Sequence, residues 1–145
     1  MKLLVINGPN LNMIGIREPD IYGARSYRDL EEMMRRHAAA RGHEIEMMQS
    51  NYEGELLDRI QQAYFDGVEG IVINPAAYTH TSIALLDALK AVGIPAVEVH
   101  ISNVSGRESF RQVSFVREAC IATVEGKGLE GYIEAVGILE KHLNK

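Results

Sequence analysis

The chain predicts an α/β fold: an open, parallel, doubly wound sheet covered by helices on both faces in three αβα layers. Short β-branched runs alternate with amphipathic helical patterns, as repeated βαβ units do. Three apolar runs, 3–7, 70–74 and 95–100, each end abruptly in an amide or histidine cluster. In an open parallel sheet the carboxyl ends of neighbouring strands line one crevice, so three polar strand ends predict one site gathered from distant sequence. At 145 residues the chain fits a single domain, 1–145, built on one core.

The five strands are expected near 2–7, 44–49, 70–74, 96–101 and 119–125. Ser26-Tyr27-Arg28-Asp29 is a capping signal and Gly42 supplies a left-handed stop, which sets the first helix at about Ser26 to Arg41. In the second, about Glu53 to Phe65, the residues Leu56, Leu57, Ile60, Ala63 and Tyr64 share one face before Gly67 ends it. The third runs from Thr81 or Ser82 to Ala91 and stops at Gly93, after which Ile94-Pro95 turns the chain into the fourth strand. The last, near Leu129 to Leu143, sets Ile133, Val136, Leu139 and Leu143 on one side.

Gly8 to Arg25 is long for a strand-to-helix connection, where about 2 to 6 residues suffice. With Arg17, Glu18, Tyr22 and Arg25 among glycines and a proline, its segment at about 16–25 reads as a mobile lid over the crevice.

Composition narrows the partners. Lys plus Arg number 15 and Asp plus Glu 20, a net charge of −5 with no basic stripe of the kind a phosphate backbone demands. Nucleic acid is therefore not an expected partner. The apolar run at 2–6 is too short for a signal-peptide core or a bilayer span, so a soluble, cytoplasmic protein with no membrane partner is expected. The single cysteine, Cys120, sits in an apolar stretch and reads as a small buried thiol. His37, His43 and His142 lie in or beside helices and read as surface residues.

Four ordered blocks resemble type II 3-dehydroquinate dehydratase across nearly the whole chain. They are Asn10-Leu11-Asn12 with Gly15, Arg17, Pro19, Tyr22 and Gly23; Asn74-Pro75 with 77–82; 98–103; and Arg107-Glu108 with Phe110-Arg111. The resemblance implies a flavodoxin-like fold with strand order 2-1-3-4-5 and a dodecamer built as a tetramer of trimers. It also implies a shikimate or quinate pathway lyase that converts 3-dehydroquinate to 3-dehydroshikimate and water, without metal or organic cofactor, by anti elimination through an enolate.

The residues are chemically suited to that reaction. A phenol titrates near about 10, so a Tyr22 base needs a neighbouring guanidinium, for which Arg17 and Arg107 are candidates. By similarity to the family Tyr22 accepts the proton and Arg17 helps stabilise the transition state. Asn12 is suited to donating to the enolate oxygen, directly or through water, while Asn10 reads equally as a turn residue. His100, at a strand end, is the natural general acid, and Glu98, two residues earlier on the same face, can orient its imidazole. The family's ligand contacts carry over onto Asn74, His80, Ile101, Ser102 and Arg111, with Asp87 reaching a neighbouring subunit's site. The backbone amides of Ile101 and Ser102, and those at the helix start after His80, are candidates for the substrate carboxylate.

Ala76, where the family commonly has glycine, and Tyr52 and Leu86, where it often has histidine and arginine, depart from the pattern. Two rival readings are a metal hydrolase using His80 and His100, which lacks a third ligand at suitable spacing, and a noncatalytic binding module, to which a phenolic base would be of no use.

Overall fold

Short runs of β-branched and apolar residues pair side by side as strands: β1 (Lys2–Asn7), β2 (Glu44–Gln49), β3 (Gly70–Asn74), β4 (Ala96–His100) and β5 (Ala122–Glu125). In this computed structural model, which describes residues 1–16, 20 and 24–145, every pairing is parallel and the sheet order is β2-β1-β3-β4-β5. The chain reverses its direction of sheet growth between β1 and β3, and that switch point is where open α/β sheets leave a crevice.

Among the described residues four α-helices cover the sheet: α1 (Tyr27–Ala40), α2 (Glu53–Phe65), α3 (Ile83–Val92) and α4 (Glu130–Leu143). Ser26 caps α1 through a reciprocal capping box with Asp29. Ser82 caps α3, its Oγ accepting from the Leu85 amide at 3.0 Å, and Gly93 ends that helix in the left-handed region at φ 64°.

Strand side chains alternate between two cores. Leu3, Val5, Val72, Val97 and Val99 face the layer of α1 and α4. Leu4, Ile6, Ile71, Ile73 and Ala96 face the layer of α2 and α3. Burying one such side chain contributes about 1.5–3 kcal/mol, so apolar burial holds both layers onto the sheet. It does not by itself fix the register, because a sheet apolar on both faces tolerates a one-residue slip better than a one-sided sheet. The polar strand ends supply that information: a slip of β4 would turn Glu98 into the α1/α4 core, away from the hydroxyls and imidazole that satisfy it.

Five expectations need correction. Ala119, expected to open β5, instead ends the 3-10 turn 116–119, and β5 begins at Ala122; β4 ends at His100 rather than 101. The buried stripe of α4 is Tyr132, Ala135, Val136 and Leu139, with Ile133 and Leu143 only half-buried. On α2, Tyr64 is 62% exposed and lies outside the stripe of Leu56, Ile60 and Ala63. His43 is not a free surface residue: its Nδ1 meets the Met1 amine at 3.0 Å and its Nε2 meets Glu140 at 3.2 Å, beside an Arg41–Glu140 ion pair at 2.7 Å.

Candidate active site

The exits of β1, β3 and β4 converge on one cleft, walled by Pro9, Asn10 and Leu11 from the first, Asn74, Ala76, Ala77 and His80 from the second, and His100, Ile101 and Ser102 from the third. Val104, Arg107 and Arg111, from the turns after β4, close its remaining side. Gly8 lets two of these exits meet. Its amide donates to the Asn74 carbonyl at 2.8 Å, and a β-carbon at that position would lie 2.4 Å from the Pro75 carbonyl oxygen. Only glycine permits that approach.

On the α2/α3 face of β4, Glu98 is fully buried beneath His100, which is itself 6% exposed. His100 Nε2 and Glu98 Oε2 make a short contact. Thr79 Oγ1 donates to the same carboxylate at 2.9 Å, Ser114 Oγ bridges to it at 3.0 Å, and the Arg117 Nε lies 3.8 Å away. Burial pushes the Glu98 pKa up, but the hydrogen bond and charge of His100, with the Thr79 and Ser114 hydroxyls, outweigh it and hold the carboxyl below its ordinary value. Glu98 therefore stays ionised and holds the imidazole of His100 through Nε2 at the cleft wall.

On the opposite face of the sheet, Asn74 is 2% exposed and held at both ends of its carboxamide. Its Nδ2 donates to the Tyr132 hydroxyl at 2.9 Å, and its Oδ1 accepts from the Ala76 amide at 3.0 Å. Ala76 pays for that turn with a φ of 53°, a left-handed conformation rare for a residue bearing a β-carbon. His80 gives its Nδ1 proton to the Val113 carbonyl at 2.6 Å, which leaves Nε2 for a ligand. Arg111 stacks 5.2 Å above Phe110 and pairs with Glu108 at 2.7 Å, an arrangement that fixes its guanidinium at the rim.

Of the residues singled out in the sequence, Asn74, His80, His100, Ile101, Ser102 and Arg111 thus line one cleft, with Glu98 directly behind His100. Asn12 is exposed on the 3-10 turn Leu11–Met13 and is not part of the cleft wall, whereas Asn10, in a left-handed conformation at φ 69°, is. Asp87 is exposed on α3, and Ser82, which caps that helix, does not reach the cleft wall. Tyr22 and Arg17, with most of the expected lid, lie outside the described residues. Sequence reasoning missed Asn7 and Tyr132, which hold Asn74, and Ser114, which holds Glu98. A signal for Asn7 was present: the runs ending β1 and β3 finish alike, Val-Ile-Asn in each.

Fold and cleft define a flavodoxin-like α/β protein with a buried carboxylate–imidazole pair at the carboxyl end of its parallel sheet, the layout of an enzyme that moves protons. The chain matches the family model of dehydroquinase class II over residues 1–140. It is 54% identical over 140 residues to the 3-dehydroquinate dehydratase of Clostridium beijerinckii, covering 97% of this chain and 96% of that one. With the 3-dehydroquinate dehydratase of Caldicellulosiruptor bescii it shares 52% identity over 143 residues, 99% of each. The crystal structure of type II dehydroquinase from Butyrivibrio crossotus superposes with a TM-score of 0.96 at 52% identity, covering 97% of both chains. The chain belongs to the class II dehydroquinase family.

Proposed function

We propose that this chain is a hydro-lyase that dehydrates 3-dehydroquinate to 3-dehydroshikimate. The observation that carries the reading is the buried Glu98–His100 pair opening into a cleft lined by Asn74, Ser102 and Arg111, in a chain of this family. A polyhydroxylated ring bearing one carboxylate requires amides, hydroxyls and a cation, and the cleft offers all three.

In this reading Tyr22, as phenolate, takes the proton beside the ketone, and the electron pair moves onto the carbonyl oxygen to give an enolate. Arg17 supports the phenolate and the developing charge, and Asn12 donates to the enolate oxygen. Collapse of the enolate expels the hydroxyl, which takes the Nδ1 proton of the His100 imidazolium and leaves as water, by anti elimination. The products are the conjugated enone, one water, a protonated Tyr22 and a neutral His100, and one proton exchanged through solvent resets the pair. Asn74, His80, Ser102, Arg111 and the Ile101 amide hold the substrate. No residue is assigned to a metal or organic cofactor.

The reading extends to a homododecamer, a tetramer of trimers, in which Asp87 reaches the site of a neighbouring copy. Its exposure on α3 supports that role. The reading also assigns the enzyme to the cytoplasm, on a dissolved substrate, and to one domain, 1–145, with a lid at about 16–25. Chelator-treated protein mixed with 3-dehydroquinate is expected to develop the ultraviolet absorbance of the enone, and Tyr22→Phe to lose it by about 10²–10⁴-fold. If neither protein forms enone while the wild type binds the ligand, the chain is a binding module.

A further inference from the structure

Behind the cleft, three buried polar side chains form a hydrogen-bond chain whose direction is fixed at both ends. Asn7, Tyr132 and Asn74 are 0%, 0% and 2% exposed. At one end the Met48 carbonyl, which can only accept, receives Asn7 Nδ2 at 3.4 Å. Asn7 therefore turns its Oδ1 to Tyr132, whose hydroxyl donates its single proton there at 2.6 Å. With that proton spent, the phenol oxygen can only accept, and it accepts from Asn74 Nδ2 at 2.9 Å. At the far end the Ala76 amide, which can only donate, meets Asn74 Oδ1 at 3.0 Å. Carboxamide orientation is ordinarily ambiguous between its oxygen and nitrogen, but here a flipped Asn74 would face an oxygen without a proton on one side and an N–H on the other.

We infer that Tyr132 is a positioning residue that fixes Asn74 as a hydrogen-bond donor to the ligand. The Asn74 amino group carries two protons, one given to Tyr132, and the second has no acceptor among the described residues while Asn74 lines the cleft. The site at this point selects an acceptor: a carboxylate, ketone or enolate oxygen, or the lone pair of a hydroxyl. Burial keeps the phenol protonated, well above its ordinary titration range, so the direction of the chain holds through the working pH. Among the described residues lining the cleft none comes from α4, and the Tyr132 hydroxyl hydrogen-bonds a cleft residue from this helix.

The inference deepens the dehydratase reading and rests on it for the identity of the ligand. Its test is a double-mutant cycle of Tyr132→Phe and Asn74→Ala, read as KM and kcat for 3-dehydroquinate beside thermal melts. Tyr132→Phe is expected to raise KM about tenfold, and to have no further effect once Asn74 is alanine. A Tyr132→Phe protein that melts lower at unchanged KM, or whose effect adds in full to that of Asn74→Ala, overturns the inference. A second measurement needs neither turnover nor a folded variant. In the wild type the side-chain amide of Asn74 is expected to exchange with D2O at least tenfold more slowly than that of exposed Asn12, and equal rates overturn the inference. Slow Asn74 exchange in a protein that forms no enone would sink the dehydratase reading and leave the positioning role standing.

Discussion

An isolated carboxylate taken out of water costs several kcal/mol, and Glu98 is fully buried, so its partners decide whether it destabilises the fold. Thr79, Ser114 and His100 all meet it, and its pKa lies below the ordinary 4.5 despite burial. A depressed pKa means that the folded state holds the proton less tightly than the unfolded state. The stabilisation is then fully present above the unfolded value and disappears as pH falls through the lower folded value. Glu98→Gln removes this dependence. Urea titrations are expected to show the wild type losing its advantage over Glu98→Gln below about pH 4.5, and a constant gap across that window would contradict the assignment. At neutral pH the same variant removes the carboxylate that holds the His100 imidazole, so kcat is expected to fall. The pair itself was legible in the sequence, because alternation places residues 98 and 100 on one face. Its hydroxyl partners were not: Thr79 and Ser114 come from turns 35 residues apart, and no periodicity links them.

The elements carrying the site are unequal in how they are held. Between β3 and α3 the chain makes the 3-10 turn Ala76–His80, opened by an alanine at φ 53°. A left-handed alanine costs about 1–2 kcal/mol relative to the right-handed region. Glycine is free of that cost but loses about 0.5–1 kcal/mol more backbone entropy on folding. The difference favours Ala76→Gly by about 0.5–1 kcal/mol, read as a higher urea midpoint with unchanged slope; a lower midpoint would show that the methyl packs against the α1/α4 core more strongly than its backbone is strained. Long helices were readable because each repeats its apolar period several times, and strands β1, β3 and β4 because each is a nearly continuous β-branched, apolar run. The 3-10 turns at 104–106, 109–111 and 116–119 are three or four residues long, too short to display a period, and that is why part of the last one was read as strand. Tyr132 was missed for a related reason: its stripe runs 132, 135, 136, 139, one residue out of phase with the more conspicuous Ile133, and an aromatic with a polar tip gives no sign in sequence of which amide it meets.

Across the whole molecule the sheet separates two tasks. Glu98 and His100 are anchored from the α2/α3 face, and Asn74 from the α1/α4 face through Tyr132, so the imidazole and the carboxamide draw their rigidity from different cores and come together at the carboxyl edge. The same molecule leaves large apolar side chains exposed on α2 and α3: Tyr64 at 62%, Phe65 at 78% and Ile83 at 53%, with Tyr52 just before α2 at 69%. These helices pack side by side on one face of the sheet, and association through that face would cover these exposed side chains. Asp87 is exposed on α3 as well, so the proposed contact with a neighbouring copy would draw on the same helix. Sedimentation is expected to give a mass about twelve times that of the 16.1 kDa chain. Phe65→Asp, which would bury a charge in such a contact at a cost of several kcal/mol, is expected to break the assembly into smaller species. If the dissociated species keeps its fold, its KM for 3-dehydroquinate should rise in step with that of Asp87→Ala in the intact assembly. A wild type that sediments as a monomer, with full turnover, would instead make each site complete within one chain and leave Asp87 as a solvated helix residue.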